Sequence, residues 1–135
     1  MKVEPGPYKL ESTFLRLRGD VSVEPLKVDA TFWQRISTGE LGDFRNEYLV
    51  AINAFSVDWP MWEKHPNGDE VVCLLSGAVE FVLETSHGNK KIELTESGSY
   101  VIVPKGTWHT ARTKVPTRML FITAGEGTEH REISK

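Results

Sequence analysis

Two short segments contain the side chains whose types and spacing could perform chemistry. The segment EKHPNGDE carries Glu63, His65 and Glu70, and the segment PKGTWH, about forty residues later, ends at His109. Imidazole nitrogen and carboxylate oxygen are ordinary ligands of divalent metal ions. If the fold brings the two segments together, these four residues predict a site for one divalent metal ion.

The alternation of side chains along a β-strand explains how these groups could converge. Glu63 and His65 are two residues apart, so on a strand they point to the same face. The turn at residues 66–69 contains Asn-Gly, which tolerates positive φ and favours a hairpin. We therefore expect a hairpin in which His65 and Glu70 are a directly opposed cross-strand pair. We expect His109 to lie on a strand beside this hairpin.

Two alternatives remain open for these residues. Glu63 either binds the ion or is a solvated carboxylate at the rim of the site. The whole set is either a metal site or a polar cluster that is hydrogen-bonded internally or through water. Electrostatics favour the metal, because two carboxylates in a poorly solvated interior repel each other and a divalent cation removes that penalty.

The elements that must position these groups are short strands about ten residues apart. We predict strands at residues 48–55, 62–65, 70–75, 78–84, 90–94, 100–103, 108–113 and 118–123. Such a series predicts an all-β sandwich or barrel, and closure into a barrel avoids open sheet edges.

The chain divides into three predicted parts. Residues 1–44 are expected to form an arm of edge strands with a short helix that packs on the barrel. That helix should run from Ala30 to Ser37, with Asp29 as its cap and Phe32, Trp33 and Ile36 sharing one face. Residues 45–124 form the barrel, and residues 125–135 form a polar, frayed tail in which His130 has no role.

The two segments also resemble the motifs of the cupin superfamily, specifically its small single-domain members. The matching positions are His65, Glu70 and Gly77 in the first motif and Gly98, Pro104, Gly106 and His109 in the second. The resemblance covers residues 45–124. It implies a double-stranded β-helix, or jelly-roll barrel, that holds one metal ion through His65, Glu70 and His109.

Three residues depart from the cupin pattern. Val57 replaces the first glycine of the first motif, Glu63 replaces its first histidine, and Thr113 replaces the final asparagine of the second motif. The changes at Val57 and Thr113 are expected to affect only turns. With Glu63 as a ligand the set becomes two histidines and two carboxylates, which would weaken the Lewis acidity of a divalent ion and favour the higher oxidation state of iron.

The resemblance implies a mononuclear metal-dependent enzyme of the dioxygenase or isomerase/lyase type that acts on a small organic molecule. The ion could be Fe, Mn, Ni or Zn, since all accept these ligands. In an enolising reaction Glu63 would be the catalytic base, but only if it does not bind the ion. The alternative is a non-catalytic ligand-binding or sensing module whose metal is structural or absent. Three tryptophans near the motifs either wall an aromatic pocket or pack in the ordinary way (Trp59, Trp62 and Trp108).

Composition narrows the range of partners for this chain of 135 residues. The net charge is −3 and the basic residues are scattered, so we expect no nucleic-acid partner. No run approaches the ~20 apolar residues of a membrane span, and no apolar leader begins the sequence. With Cys73 as the only cysteine, we expect a cytoplasmic protein. Because the strands at 48–55 and 71–75 are apolar on both faces, we also expect a homodimer formed through the arm.

Overall fold

The computed structural model describes residues 3–134, so residues 1, 2 and 135 of the predicted arm and tail lie outside the described part. The described chain forms eleven strands and one helix. They are β1 (Thr13–Leu17), β2 (Val23–Lys27), α1 (Phe32–Ser37), β3 (Tyr48–Phe55), β4 (Met61–Lys64), β5 (Glu70–Ser76), β6 (Val79–Thr85), β7 (Gly88–Leu94), β8 (Tyr100–Val103), β9 (His109–Arg112), β10 (Thr117–Ala124) and β11 (Glu129–Glu132). Among residues 3–134, no helix has the length and apolar character needed to cross a membrane.

The strands build two antiparallel sheets that face each other in a jelly roll, as predicted. The six-stranded sheet has the order β2-β1-β3-β10-β5-β8, and the five-stranded sheet has the order β11-β4-β9-β6-β7. The alternation of side chains fills the space between them. On β5, for example, Glu70, Val72 and Leu74 are buried on the inner face, while the intervening residues are partly exposed on the outer face.

The main core lies between β5, β8 and β10 of one sheet and β6 and β9 of the other. Its buried members are Val72, Leu74, Val79, Phe81, Leu83, Leu94, Val101, Val103, Ala111, Met119 and Phe121. A second cluster lies under β1 and β3, where helix α1 replaces the second sheet as the cover. It consists of Phe14, Leu26, Phe32, Phe44, Leu49 and Ala51.

The helix is shorter than the sequence predicted. It begins at Phe32, with Thr31 at the N-cap position, because Asp29 accepts hydrogen bonds from the backbone N–H and the hydroxyl of Thr31 and thereby stabilises a turn before the helix. The predicted apolar face is shared by Phe32 and Ile36, which pack in the second cluster, but Trp33 lies at its edge. Phe32 is fully buried, whereas Trp33 is 57% exposed.

The predicted hairpin between β4 and β5 is wrong. β4 pairs with β9 and β11, whereas β5 pairs with β10 and β8, so residues 66–69 carry the chain from one sheet to the other. Contacts made outside the turn hold this crossing. The backbone N–H of Gly106 donates to the carbonyl of His65 (3.0 Å), and that of Lys105 donates to the Asp69 carboxylate (2.7 Å). A Cβ atom at Gly68 would lie 2.6 Å from that of Ala124, so a glycine is needed there.

The end of the chain is not the frayed tail that we expected. Glu129–Glu132 forms β11 along the edge of β4. Its outward residue Arg131 lies over the rings of Trp62 and Trp108, at 5.3 and 4.6 Å from their centroids, and pairs with Glu84 at 2.7 Å. These contacts supply the packing that the polar sequence did not suggest. The three-part division of the chain stays a prediction.

Candidate metal site

The four residues predicted from the sequence lie together inside the barrel. Glu63 is on β4, His65 follows the end of β4, and Glu70 and His109 are the first residues of β5 and β9. His65, Glu70 and His109 are buried, with exposed fractions of 4% or less. The side chain of Glu63 is 32% exposed and lies at the edge of the cluster.

The Glu70 carboxylate contacts both imidazoles. Its Oε2 lies 3.4 Å from His65 Nε2, and its Oε1 lies 3.1 Å from His109 Nε2. Glu63 Oε1 lies 3.8 Å from His65 Nε2. One donor atom each from Glu63, His65 and His109 falls within 4.8 Å of the others, so these three residues could hold a metal ion. His65 and Glu70 therefore meet although they are not a cross-strand pair.

Three buried polar atoms at the centre of the cluster have no hydrogen-bond partner in the described structure: His65 Nε2, His109 Nε2 and Glu70 Oε1. The contact between Glu70 and His109 is short, but its direction is not that of a hydrogen bond. Unpaired buried nitrogen and oxygen atoms are costly. Because all three can act as ligands and all face one point, the residues present fit a bound cation.

Hydrogen bonds at the outer side of the cluster orient the candidate ligands. His109 Nδ1 lies 3.0 Å from the carbonyl of Thr107, which can only accept, so this nitrogen donates and Nε2 of the neutral ring carries the lone pair. His65 Nδ1 lies 3.0 Å from the Thr128 hydroxyl. The Thr123 hydroxyl donates to Glu70 Oε2 at 2.6 Å. Such contacts fix ring orientation and tautomer at metal sites.

Electrostatics tie Glu70 to the two imidazoles. Burial alone would raise the pKa of Glu70, but its contacts with His109 and His65 outweigh burial and lower the pKa to about 2. Burial works to lower the pKa of His109, but the adjacent Glu70 carboxylate raises it above its ordinary value. The cluster is therefore an ionised carboxylate in contact with two imidazoles.

Comparisons with known proteins bear on the fold. No protein-family model and no curated protein matched the sequence. Among solved structures, an oxalate oxidase shares 16% identity with a TM-score of 0.52, over 60% of this chain and 44% of that one. A cupin-2 domain containing protein from Shewanella frigidimarina shares 22% identity with a TM-score of 0.49, over 58% and 71% of the two chains. A cupin superfamily protein from Desulfitobacterium hafniense shares 22% with a TM-score of 0.48, over 56% and 65%. This chain has the cupin fold.

The departures from the cupin motifs now have positions in the structure. Val57 is exposed in the loop after β3. The Thr113 hydroxyl, after β9, donates to the carbonyl of Ala78 at 2.6 Å, in the turn between β5 and β6. Glu63, in contrast, lies at the cluster itself, so this departure changes its donor set.

The barrel also brings His130, for which we predicted no role, next to Glu63. His130 is opposite Glu63 across the β11–β4 pair, and Glu63 is opposite His109 across β4–β9. Directly opposed residues share a face, and His130 Nε2 lies 3.6 Å from Glu63 Oε2. Thr128 and Thr123 were missed as well. The alternation of Thr128 and His130 was the one available signal.

Among the tryptophans near the motifs, only Trp59 faces the interior. Its ring centroid lies 6.3 Å from that of His109 and 5.7 to 5.9 Å from those of Phe81 and Phe121. Trp62 and Trp108 lie against Arg131 on the outer face of their sheet instead. One aromatic wall of the cluster is therefore Trp59.

Proposed function

We propose that this protein is a mononuclear metal-dependent enzyme that acts on a small organic molecule. His65, Glu70 and His109 would hold the ion, with Glu63 as a fourth donor. The observation that carries this proposal is the set of buried donor atoms, at His65, His109 and Glu70, that lack hydrogen-bond partners and face one another. The ion would be Fe, Mn, Ni or Zn, all of which accept imidazole and carboxylate ligands.

A divalent ion held by three or four protein ligands keeps coordination positions for the oxygen donors of a small molecule, and supplies Lewis acidity or dioxygen chemistry there. Diketones, catechols and hydroxy acids carry neighbouring oxygen donors that could chelate such an ion. The fold itself does not choose between dioxygenase and isomerase or lyase reactions.

The side chains of this chain have distinct roles in that proposal. Glu70 stays ionised at neutral pH because its pKa is about 2. The carbonyl of Thr107 holds His109 in the tautomer whose Nε2 can bind. Trp59, packed between His109 and the apolar core, excludes water from one side. Glu63, one third exposed, reaches the edge where a substrate would enter, and there its carboxylate could accept a proton if it is not a ligand.

Metal analysis of untagged protein tests the binding step. We expect about one ion per chain for the wild type, in keeping with a single site, and a loss of most of that ion in His65→Ala and His109→Ala. His87→Ala is the matched control, because His87 is exposed in the turn between β6 and β7. Equal metal content in all four proteins would disprove the site.

A measurement of substrate turnover distinguishes an enzyme from a ligand-binding module. The metal-loaded protein would be incubated with diketones, catechols and hydroxy acids, with dioxygen uptake and product formation followed separately. Turnover of one class, abolished by His109→Ala and retained by His87→Ala, would support the proposal. A stoichiometric ion with binding but no conversion of any class would replace it with the ligand-binding or sensing module.

A further inference from the structure

The Glu63 carboxylate lies between two possible partners. Its Oε1 is 3.8 Å from His65 Nε2, in the candidate metal site, and its Oε2 is 3.6 Å from His130 Nε2, at the edge of the barrel. Within the described chain, these two are the ion-pair contacts of Glu63. Both distances are longer than a hydrogen bond, so neither imidazole holds the carboxylate in one position.

The other carboxylate of the cluster is held much more firmly. Glu70 is 3% exposed, and the Thr123 hydroxyl donates to its Oε2 at 2.6 Å. A buried carboxylate that left its partners would become an uncompensated buried charge, which is costly. The side chain of Glu63 is 32% exposed, so water can solvate its carboxylate when it moves. Of the two carboxylates, only Glu63 can therefore leave a bound ion at small cost.

The strands restrict this movement to the side chain. β4 lies between β9 and β11, and Glu63 is opposite His109 on one side and His130 on the other. The Cβ atoms of such opposed residues are about 5 Å apart. Because the backbone of Glu63 is paired on both sides, rotation about its side-chain bonds would carry the carboxylate from the ion to His130. The ring of His130 is half exposed and can donate from Nε2 whether it is neutral or protonated.

The charge of the site determines which ligand would displace Glu63. Together, Glu63 and Glu70 balance the charge of one divalent ion. An additional anionic ligand would give the largely buried cluster an excess of negative charge, which is unfavourable there. If Glu63 leaves as the anion binds, one negatively charged oxygen replaces another and the charge at the ion is unchanged. A neutral ligand provides no such reason for an exchange.

We propose that Glu63 is a displaceable ligand: an anionic oxygen chelator such as a 2-hydroxy acid takes its place at the ion, and the released carboxylate pairs with His130. The bond from Glu63 to the ion breaks as the bond from the incoming oxygen forms, with no change of oxidation state. His130 is a positioning residue, which holds the carboxylate after it leaves. Since Glu63 needs a bound ion to leave, this proposal rests on the proposed function and narrows its substrate class to anionic chelators.

The exchange can be measured in protein loaded with Co(II), whose visible absorption changes with its ligands. Glycolate, a 2-hydroxy acid, and ethylene glycol, its neutral counterpart, would be titrated separately. We expect glycolate to change the spectrum and ethylene glycol to leave it unchanged at the same concentrations. Glu63→Gln preserves the shape of the side chain and removes its charge. This variant should bind Co(II) about 10-fold more weakly and glycolate about 10-fold more tightly, because no carboxylate has to be displaced.

A double-mutant cycle tests the role of His130. His130→Ala should weaken glycolate binding about 3- to 5-fold, the size expected for a partly exposed ion pair. In the Glu63→Gln background the same replacement should have no effect. His130→Gln, whose amide group can donate, should retain most of the affinity. His87→Ala is the matched control, because His87 is exposed in the turn between β6 and β7.

Three results would overturn the proposal. An equal loss from His130→Ala in both backgrounds would show that His130 contacts glycolate itself. Unchanged affinities for Co(II) and glycolate in Glu63→Gln would show that Glu63 is not a ligand. Ethylene glycol that binds as tightly as glycolate would contradict the charge argument. If any of these occurs while the wild type holds its ion, the proposed function stands, whereas a wild type that binds no Co(II) refutes both.

Discussion

Replacement of Glu70 by Gln should reverse the pH dependence of stability in the metal-free protein. In the wild type the pKa of Glu70 is about 2 when folded and 4.5 ordinarily. A difference of this size corresponds to about 3 kcal/mol of folding free energy. Because the folded pKa is the lower one, this contribution is present above the ordinary value and is lost as the pH falls from 4.5 toward 2.

The contact between His109 and Glu70 stabilises the fold only below a certain pH, because it also depends on the protonation of His109. The pKa of His109 is raised above its ordinary value of 6.5, so its contribution is present below 6.5 and disappears as the pH rises through the folded pKa. The two contributions describe one contact and are not added. Wild-type stability should therefore be greatest between 4.5 and 6.5 and decline on either side.

The variant should behave in the opposite way near neutral pH. Without the Glu70 carboxylate, burial, the largest influence on His109, is opposed only by the Thr107 carbonyl and by Glu63, so we expect the pKa of His109 to fall. Folding would then require a neutral ring, so stability of Glu70→Gln should fall as the pH drops through 6.5, where that of the wild type rises. Glu63, partly exposed, is too well solvated to substitute for Glu70.

Urea unfolding of chelator-treated protein at half-unit pH steps measures both profiles. Glu93→Gln is the control, because Glu93 is exposed on β7 and should leave the wild-type profile unchanged. The reasoning would be refuted by a Glu70→Gln profile that parallels the wild type, or by a wild-type profile that is flat between 4.5 and 8.

Three further predictions concern single contacts. Thr128→Val should weaken metal binding about 10–100-fold in competition with a chromophoric chelator, because His65 loses the hydroxyl that orients it; Thr128→Ser should retain the affinity, and equal affinities for Val and Ser would refute this role. Gly68→Ala should lower the free energy of unfolding by about 1–3 kcal/mol, since its Cβ would lie 2.6 Å from that of Ala124; an unchanged urea midpoint would show that the crossing can shift. Thr113→Val should cost about 1 kcal/mol because the buried Thr113 hydroxyl loses its hydrogen bonds to the Ala78 carbonyl and from the backbone N–H of Val115, while Thr117 still donates to Ala78; Thr113→Ser is the control, and equal loss in both would point to packing instead.

Much of the fold could be predicted from the sequence because the strand signal is local. Strand positions from Tyr48 to Ala124 lie within one or two residues of those observed, and Tyr100–Val103 agrees at both ends. Alternation along β5 also placed Glu70 on the inner face with Val72 and Leu74. These features depend only on the alternation of side chains between the two faces of a strand, and consecutive residues are enough to reveal that pattern.

Strand pairing could not be predicted in the same way, because it depends on residues far apart in the chain. The Asn-Gly signal at residues 66–69 indicated a turn correctly, but it did not determine which strands lie next to each other. Contacts with Gly106 and Ala124 make this turn a crossing between sheets. His65 and Glu70 still converge, since both flank the crossing and both point inward.

The C-terminal strand shows why Thr128 and His130 could not be predicted as part of the site from the sequence. β11 has almost no apolar residue to bury, so its sequence alone resembles a solvated tail. It is held by Arg131, which lies between two tryptophan rings on the outer face and pairs with Glu84. Because these contacts are all made on the outward side, the inward side is free to present Thr128 to His65 and His130 to Glu63. A strand anchored from outside can therefore contribute polar groups to a buried site without an apolar stripe of its own.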